Sequence, residues 1–304
     1  MSHSEWRSAE SVCVFRCQRQ RATQNREENR SLPQCCLLGI RAMATVLEEQ
    51  QESPPVAEAT PATSDRLAVI VPVYNEERTV AELLRRLEAQ PCVSQIIIVD
   101  DGSTDRTWEE LEPWRARATF TANTREDTQL VIVIQHEKNR GKGNAIRTGL
   151  EHVSCSHVLI QDADLEYNPA DISKLWKAML CGQGDAIYGS RYLNSPSLQR
   201  GRFFLQSGVR LLNWLVRMLY GVTLTDEATC YKMFRTSDLR RMQLQCERFE
   251  FCPEVTAKAA VNGLKICEVH VAYTHRSDAL GKKLRKRDAF AAIWTLIRFR
   301  FRFR

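Results

Sequence analysis

Apolar and polar positions alternate in blocks along residues 67–273, and the blocks predict a repeated strand–helix unit. Residues 67–73 form a continuous apolar run, the pattern of a strand covered on both faces. A helix is expected from the polar 74–77 cluster to about Ala89. The runs 96–99, 130–134 and 158–160 repeat the pattern, and 185–190 supplies a fifth strand. Between the last two, a helix over 169–180 opens on Pro169, since proline suits a first helical position. Helices are also expected after Asp105 and from about Lys142 to His152. Further on, 204–220 predicts an amphipathic helix. Its residues Gln206, Arg210, Asn213 and Arg217 mark one polar stripe on an otherwise apolar surface, the pattern of a helix packed on a partner or resting at a membrane interface. A helix over 249–262 and an alternating strand over 265–273 follow. Strands interleaved with helices of this length imply right-handed crossovers, a mainly parallel sheet and the α/β class.

Four successive strands end in polar clusters: Tyr74-Asn75-Glu76-Glu77, Asp100-Asp101-Gly102-Ser103-Thr104-Asp105, the run from His136 to Asn144, and Asp162-Ala163-Asp164-Leu165-Glu166. In an open α/β sheet ligands bind beyond the carboxyl ends of the strands, so these clusters are expected to share one crevice. Asp162 and Asp164 are hard oxygen ligands one residue apart, suited to a divalent cation that also holds substrate phosphates. A solvated acidic turn is the plain alternative. Lys142, between two glycines at a helix start, combines a cation with backbone amides and so favours phosphate; its alternative is an ordinary turn.

Composition narrows the picture. An apolar fraction of 43% with 26% charged residues is that of a globular protein. From Arg276 onward ten basic residues face two aspartates, so the net charge of +6 is concentrated at one end, as for a local anionic partner. The 11 cysteines show no paired C-x-x-C spacing, which excludes a zinc ribbon or a disulfide scaffold and predicts reduced thiols. No run approaches a spanning helix, so none is expected. Residues 1–65 are rich in Arg, Gln, Glu and Ser and are expected to be a disordered leader. Within it, 1–42 reads as an over-extended start, because Met43 begins a cleaner sequence. The domain is expected over 66–298, with a basic, aromatic tail over 299–304.

The segments Pro72-Val73-Tyr74-Asn75-Glu76, Val99-Asp100-Asp101-Gly102-Ser103-Thr104-Asp105, Asn139-Arg140-Gly141-Lys142-Gly143, Asp162-Ala163-Asp164 and Gly189-Ser190-Arg191 resemble those of family 2 glycosyltransferases. These are inverting enzymes of GT-A fold that use nucleotide-activated sugars. The likeness is greatest to the dolichol-phosphate mannosyltransferase and bacterial polyprenyl-phosphate glycosyltransferase branch, and it covers about residues 67–298.

The resemblance implies roles. Pro72, Tyr74 and Glu76 hold the nucleoside, and Asp101 reads the base edge while Asp100 supports the loop. Lys142 and the Asp162-Ala163-Asp164 segment meet the diphosphate of the sugar nucleotide. Asp162 and Asp164 carry Mg²⁺ or Mn²⁺, which neutralises charge on the departing nucleoside diphosphate. Glu166 stands where the branch usually has glutamine, and is either a third oxygen near the metal or a charge favoured at a helix N-terminus. Arg191 contacts phosphate; Arg276, Lys282 and Lys283 meet donor or lipid phosphates. Asp226 is the catalytic base if the acceptor is a sugar hydroxyl. If the acceptor is a lipid phosphate, the nucleophile is already ionised and Asp226 orients a donor hydroxyl or holds its loop.

The sequence thus predicts an inverting, metal-dependent glycosyltransferase that moves a mannose- or glucose-type sugar from a GDP- or UDP-linked donor to a polyprenyl or dolichyl phosphate. It is expected to sit peripherally on the cytoplasmic membrane face, its Phe-Arg tail suiting an anionic surface. Transfer to a sugar hydroxyl in cell-envelope polysaccharide is the alternative, and a non-catalytic nucleotide-sugar-binding protein a remoter one. A haloacid-dehalogenase-type phosphotransferase also places Asp-x-Asp after a strand, but leaves the Tyr74 and Asp101 clusters unexplained. No stacking or groove-reading motif accompanies the basic tail, so nucleic acid is not expected as a partner.

Overall fold

The described residues form seven strands: β1 (Leu67–Val73), β2 (Val93–Asp100), β3 (Leu130–Gln135), β4 (His157–Ile160), β5 (Ala186–Ser190), β6 (Lys232–Arg235) and β7 (Ile266–His270). They form one sheet in the order β3-β2-β1-β4-β6-β5-β7. This is a computed structural model, and it describes residues 65–121, 129–193, 203–275 and 286–302. All pairings are parallel except those of β6, which runs antiparallel to both β4 and β5.

The inner strands are near-continuous apolar runs because helices cover both faces of the sheet. These helices are α1 (Val80–Glu88), α2 (Thr107–Glu110), α3 (Glu112–Thr121), α4 (Lys142–Glu151), α5 (Ile172–Leu180), α6 (Phe203–Tyr220), α7 (Thr236–Arg241), α8 (Phe251–Val261) and α9 (Lys286–Arg302). Successive side chains of β1 point to opposite faces. Val69 and Val71 join Leu83, Leu87, Leu159 and Leu175 in one core, while Ala68 and Ile70 join Ile146, Val158, Phe234 and Val255 in the other. The five strands expected up to Ser190 are all present, and the alternating strand near residue 266 lies at the sheet edge.

Several elements depart from expectation, helices α7 and α9 among them. Strand β6 was not anticipated: it has only four residues, with cations at both ends, yet Lys232, Met233 and Phe234 are fully buried. The helix after Asp105 breaks at Leu111 into α2 and α3. The helix expected over 169–180 begins as a 3₁₀ turn, Pro169–Asp171, with Asn168 Oδ1 accepting from Ala170 N at 3.1 Å.

The tail expected from residue 299 is, as far as Arg302, the end of α9. Phe299 is 1% exposed and Phe301 65%, so the Phe-Arg alternation is a helix packing one side, and a boundary after Arg298 would cut through it. Of the leader expected over 1–65, residues 1–64 with the start site lie outside the described residues. Among the described residues no helix is long and apolar enough to cross a membrane.

Candidate active site at the carboxyl edge of the sheet

The loops after β1 and β2 are built into each other. Asn75, in the left-handed region at φ 53°, turns the chain so that its side chain accepts from Thr104 N at 2.8 Å while its own N–H donates to Ser103 Oγ. Asp100 accepts from Ser103 N at 3.1 Å and from Gln135 Nε2 at 3.2 Å, so it supports the loop. Glu76 is buried; its Oε2 accepts from Thr79 Oγ1 at 2.8 Å and its N–H donates to Thr107 Oγ1. Pro72 and Tyr74 are half-buried at the same edge.

Asp101, expected to face a base, is 2% exposed and turned inward. His136 Nδ1 lies 2.7 Å from its Oδ1, and Arg140 N and Gly141 N donate to it at 2.9 and 2.7 Å. The carboxylate therefore pins the β3–α4 connection to β2. Gly102 makes this possible: at φ 68° a Cβ there would stand 2.6 Å from the Lys138 carbonyl carbon.

The start of α4 also differs from expectation. Gly143 N donates to Arg248 O and Asn144 N to Glu247 O, at 3.2 and 2.9 Å. With Gly141 N held by Asp101, these three amides are spent within the protein, and it is the Lys142 side chain that reaches the site. Its Nζ lies 2.5 Å from Asp162 Oδ1 and donates to Cys230 Sγ at 2.9 Å. Burial, the largest single effect, pushes the Lys142 ammonium down, but Asp162 together with the sulfurs of Cys230 and Cys252 raises the group well above the ordinary lysine value.

Beyond β4 the chain reverses at Leu165, whose φ of 58° is unusual for a bulky side chain. Asp162, Asp164 and Glu166 are half-buried around this turn, with Ala163 buried between the aspartates. Asp164 Oδ1 accepts from Glu166 N at 3.1 Å, and Glu166 Oε2 accepts from the Tyr273 hydroxyl. Among the described residues no three His, Cys, Asp or Glu side chains converge into a ready-made metal cage. Two half-buried carboxylates beside an open edge fit a cation that draws its remaining ligands from substrate phosphates.

The β5 end carries a buried ion pair. Arg191 Nε and Nη2 each lie 2.7 Å from an oxygen of Asp226, and Arg191 N donates to Asp226 Oδ2 at 3.1 Å. Asp226 is fully buried, so both its oxygens are committed to Arg191. The guanidinium sits 5.0, 5.5 and 6.0 Å from the rings of Tyr273, Tyr192 and Tyr167. Behind it, Glu268 on β7 accepts from Thr225 N at 2.8 Å and Asp226 N at 3.0 Å, fixing the loop. Neighbouring Glu227 is fully buried with neither carboxylate oxygen hydrogen-bonded, and burial raises its carboxyl above the usual range.

The structure thus joins Lys142 to Asp162, Arg191 to Asp226, and Glu166 to Tyr273. Arg276, Lys282 and Lys283 lie outside the described residues. The sequence reading assigned nothing to His136, Glu268 or Tyr273. His136 stands just past a strand end, a usable signal, whereas Glu268 occupies a polar position of an alternating strand and reads as solvent-facing.

Residues 68–242, more than half of the chain, match the sequence profile of Glycosyl transferase family 2. The chain belongs to this family. Its relatives include the UDP-N-acetylglucosamine–dolichyl-phosphate N-acetylglucosaminyltransferase of Methanococcus voltae, 31% identical over 70% of this chain and 88% of that protein. The undecaprenyl-phosphate 4-deoxy-4-formamido-L-arabinose transferase of Edwardsiella ictaluri is 30% identical over 71% of this chain and 63% of its own length. Both names fall in the polyprenyl-phosphate branch that the sequence resembles. The fold is GT-A: glucosyl-3-phosphoglycerate synthase from Mycobacterium tuberculosis, solved with Mn²⁺, UDP and phosphoglyceric acid, superposes with a TM-score of 0.56 at 19% identity, covering 78% of this chain and 79% of that one. S. aureus TarS 1-349 with UDP-GlcNAc gives 0.51 at 22% identity, over 77% and 66%.

Proposed function

We propose that this family 2 glycosyltransferase moves a hexose-type sugar from a nucleoside-diphosphate sugar to a polyprenyl phosphate. One observation carries the choice of acceptor: Asp226, the candidate base, is buried and paired through both oxygens to Arg191. A sugar hydroxyl needs a base to accept its proton, whereas a lipid phosphate is already ionised at neutral pH. A committed Asp226 beside a cation ringed by tyrosines suits the second. The names of the two relatives above point the same way.

In this reading an oxygen of the acceptor phosphate attacks the anomeric carbon while the bond from that carbon to the donor diphosphate breaks, inverting the centre. Asp162 and Asp164 would hold the divalent cation, and Glu166, paired with Tyr273, does not complete a three-carboxylate group with them. A bound Mg²⁺ or Mn²⁺ would offset charge growing on the departing diphosphate. Lys142 supplies a fixed positive charge at the same place, and Arg191, held by Asp226, faces the incoming phosphate. Tyr74 and Glu76 border the nucleoside; Asp101 acts from behind, by holding the loop that carries Lys142. Arg276, Lys282 and Lys283 are proposed to add charge for the acceptor.

The acceptor brings the protein to a membrane surface, which we assign to the cytoplasmic face. Adjacent helices suit a membrane surface: α6 exposes Leu211, Trp214 and Met218, and α9 exposes Phe290, Trp294 and Phe301, with Arg210, Arg217 and Arg298 exposed among them. The two helices are tied by Tyr220, whose hydroxyl donates to Leu296 O at 2.5 Å. Such aromatic and basic helix surfaces lie in the headgroup region of anionic bilayers. Replacing Trp214 and Trp294 together by alanine is expected to lower binding to anionic vesicles by about tenfold or more, at unchanged melting temperature; equal sedimentation of both proteins would remove this surface.

The deciding assay follows radiolabelled sugar from a panel of UDP- and GDP-linked donors into short polyprenyl phosphates, with Mg²⁺ or Mn²⁺ and with chelator. Metal-dependent transfer is expected, reduced by about 100-fold or more in Asp164→Ala. Transfer to added sugars with none reaching lipid phosphate would reassign the acceptor to hydroxyls and require Asp226 to leave Arg191.

A further inference from the structure

Residues 243–248, between α7 and α8, contain no strand or helix, yet the start of α4 is built on them. The Glu247 and Arg248 carbonyls accept from Asn144 N and Gly143 N. The approach is so close that a Cβ at Gly143 would stand 2.5 Å from Cys246 O, and one at Gly141 2.5 Å from Glu247 O. The two glycines beside Lys142 therefore serve a backbone contact. The direction of the Lys142 side chain depends on where residues 246–248 lie.

A buried pair on α8 holds that segment. Glu254 is fully buried; its Oε1 accepts from Gln245 N at 2.7 Å and its Oε2 from Cys246 N at 2.8 Å. Lys258, one helical turn on and buried, lies 2.6 Å from Glu254 Oε1 and donates to Gln243 O at 2.8 Å. Gln243 has a φ of 47°, so the lysine also fixes the turn at which the segment leaves α7. A carboxylate offers two acceptor oxygens and no donor, which suits two consecutive N–H groups as no neutral side chain does. Burying a charged pair is costly, and packed apolar residues would stabilise α8 as well or better. What apolar residues lack is the grip on the backbone from Gln243 to Cys246.

From this geometry we infer that Glu254 is a positioning residue for Lys142. Braced by Lys258, its carboxylate fixes residues 245–248, and these fix the α4 start that carries Lys142 to Asp162. Its consequence for binding rests on the donor reading given above, in which Lys142 meets the diphosphate. The competing explanation is an ion pair that only stabilises α8.

Glu254→Gln in the full chain separates the two, because it keeps the shape but turns an amide NH₂ toward a backbone N–H. Two quantities are measured beside melting temperature: hydrogen exchange at the Gly143 and Asn144 amides by NMR, and the preference for UDP over UMP and for GDP over GMP. Exchange at both amides is expected to rise about tenfold or more relative to β1 and β2, and the diphosphate preference to fall about tenfold. In a Lys142→Met background Glu254→Gln is expected to leave the residual preference unchanged. If Glu254→Gln does not fold, Glu254→Leu with Lys258→Met replaces the pair by apolar residues of similar volume and is read in the same way. Parent-like exchange at Gly143 and Asn144, or an equal rise throughout the protein, overturns the inference. So does a fall in preference that persists without Lys142. A parent that prefers neither diphosphate removes the donor reading of Lys142, and the exchange alone then decides the inference.

Discussion

The β1–β2–β3–β4 half of the sheet and the β5–β6–β7 half both bury acidic groups at the same edge, but satisfy them differently. In the first half the buried carboxylates of Asp100 and Asp101 are met largely by backbone N–H groups of neighbouring loops: Ser103, Arg140 and Gly141. In the second half side-chain cations supplement backbone donors, since Glu268 accepts from Thr225 N and Asp226 N, and Glu254 from Gln245 N and Cys246 N. Asp226 pairs with Arg191, Glu254 pairs with Lys258 at 2.6 Å, and Glu227 has no hydrogen-bonding partner among the described residues. Backbone dipoles are fixed once the loop folds, so the first half presents a rigid edge. Buried ion pairs hold charge that is costly to bare. The second half therefore holds a buried cation at some expense in stability, and in the proposed function that cation serves the anionic acceptor.

The largest expected effect comes from breaking the ion pair on one side. Asp226→Ala leaves Arg191 charged and nearly buried, and is expected to cost about 3–5 kcal/mol in urea unfolding. Replacing both residues by apolar ones of similar size should return most of that stability while abolishing transfer. If Asp226→Ala unfolds like the parent, the pair is not formed as described.

A smaller loss is expected in the other half. Asp101→Ala removes one carboxylate but strands the Arg140 and Gly141 N–H groups, at about 1–3 kcal/mol. Because those groups position the loop of Lys142, donor binding should weaken together with stability. Asp101→Asn, which retains an acceptor, should recover part of both. Full donor affinity in Asp101→Ala would uncouple that loop from the site.

The smallest effect is one of pH. Burial raises the Glu227 carboxyl above its ordinary value of 4.5, so the native state holds a proton that the unfolded chain releases. Stability should therefore fall as pH rises from that value through the raised one, with a slope of up to about 1.4 kcal/mol per pH unit from this group. Glu268, raised chiefly by burial, contributes in the same direction. Glu227→Gln should flatten part of the decline above about pH 4.5 in urea titrations. An unchanged slope would mean that Glu227 is solvated or paired in solution.

Much of the first half was legible along the chain. Its strands are long apolar runs, each followed by a turn cluster, and the order of those clusters matches a family whose profile covers the region. The second half was less so. Strand β6 has four residues and two cations, and no local pattern distinguishes it from a loop; its burial depends on β4 and β5 closing around it. Helix α9 was obscured by a Phe-Arg alternation whose meaning changes once Phe299 packs beside Lys258.

The same division applies to the site. Residue identity and spacing were enough to nominate Asp162, Asp164 and Lys142, because chemistry and chain order are carried locally, and the family resemblance added Arg191. Spacing did not reveal that Lys142 would close on Asp162, that Asp226 would spend both oxygens on Arg191, or that Tyr273 would hold Glu166. Those partners are 20, 35 and 107 residues apart in sequence. Periodicity reports which face of an element is buried, and motifs report which groups are available. Which charge meets which partner is decided only when the sheet brings the carboxyl ends of distant strands to one edge, where burial makes an unmatched charge too costly to leave alone.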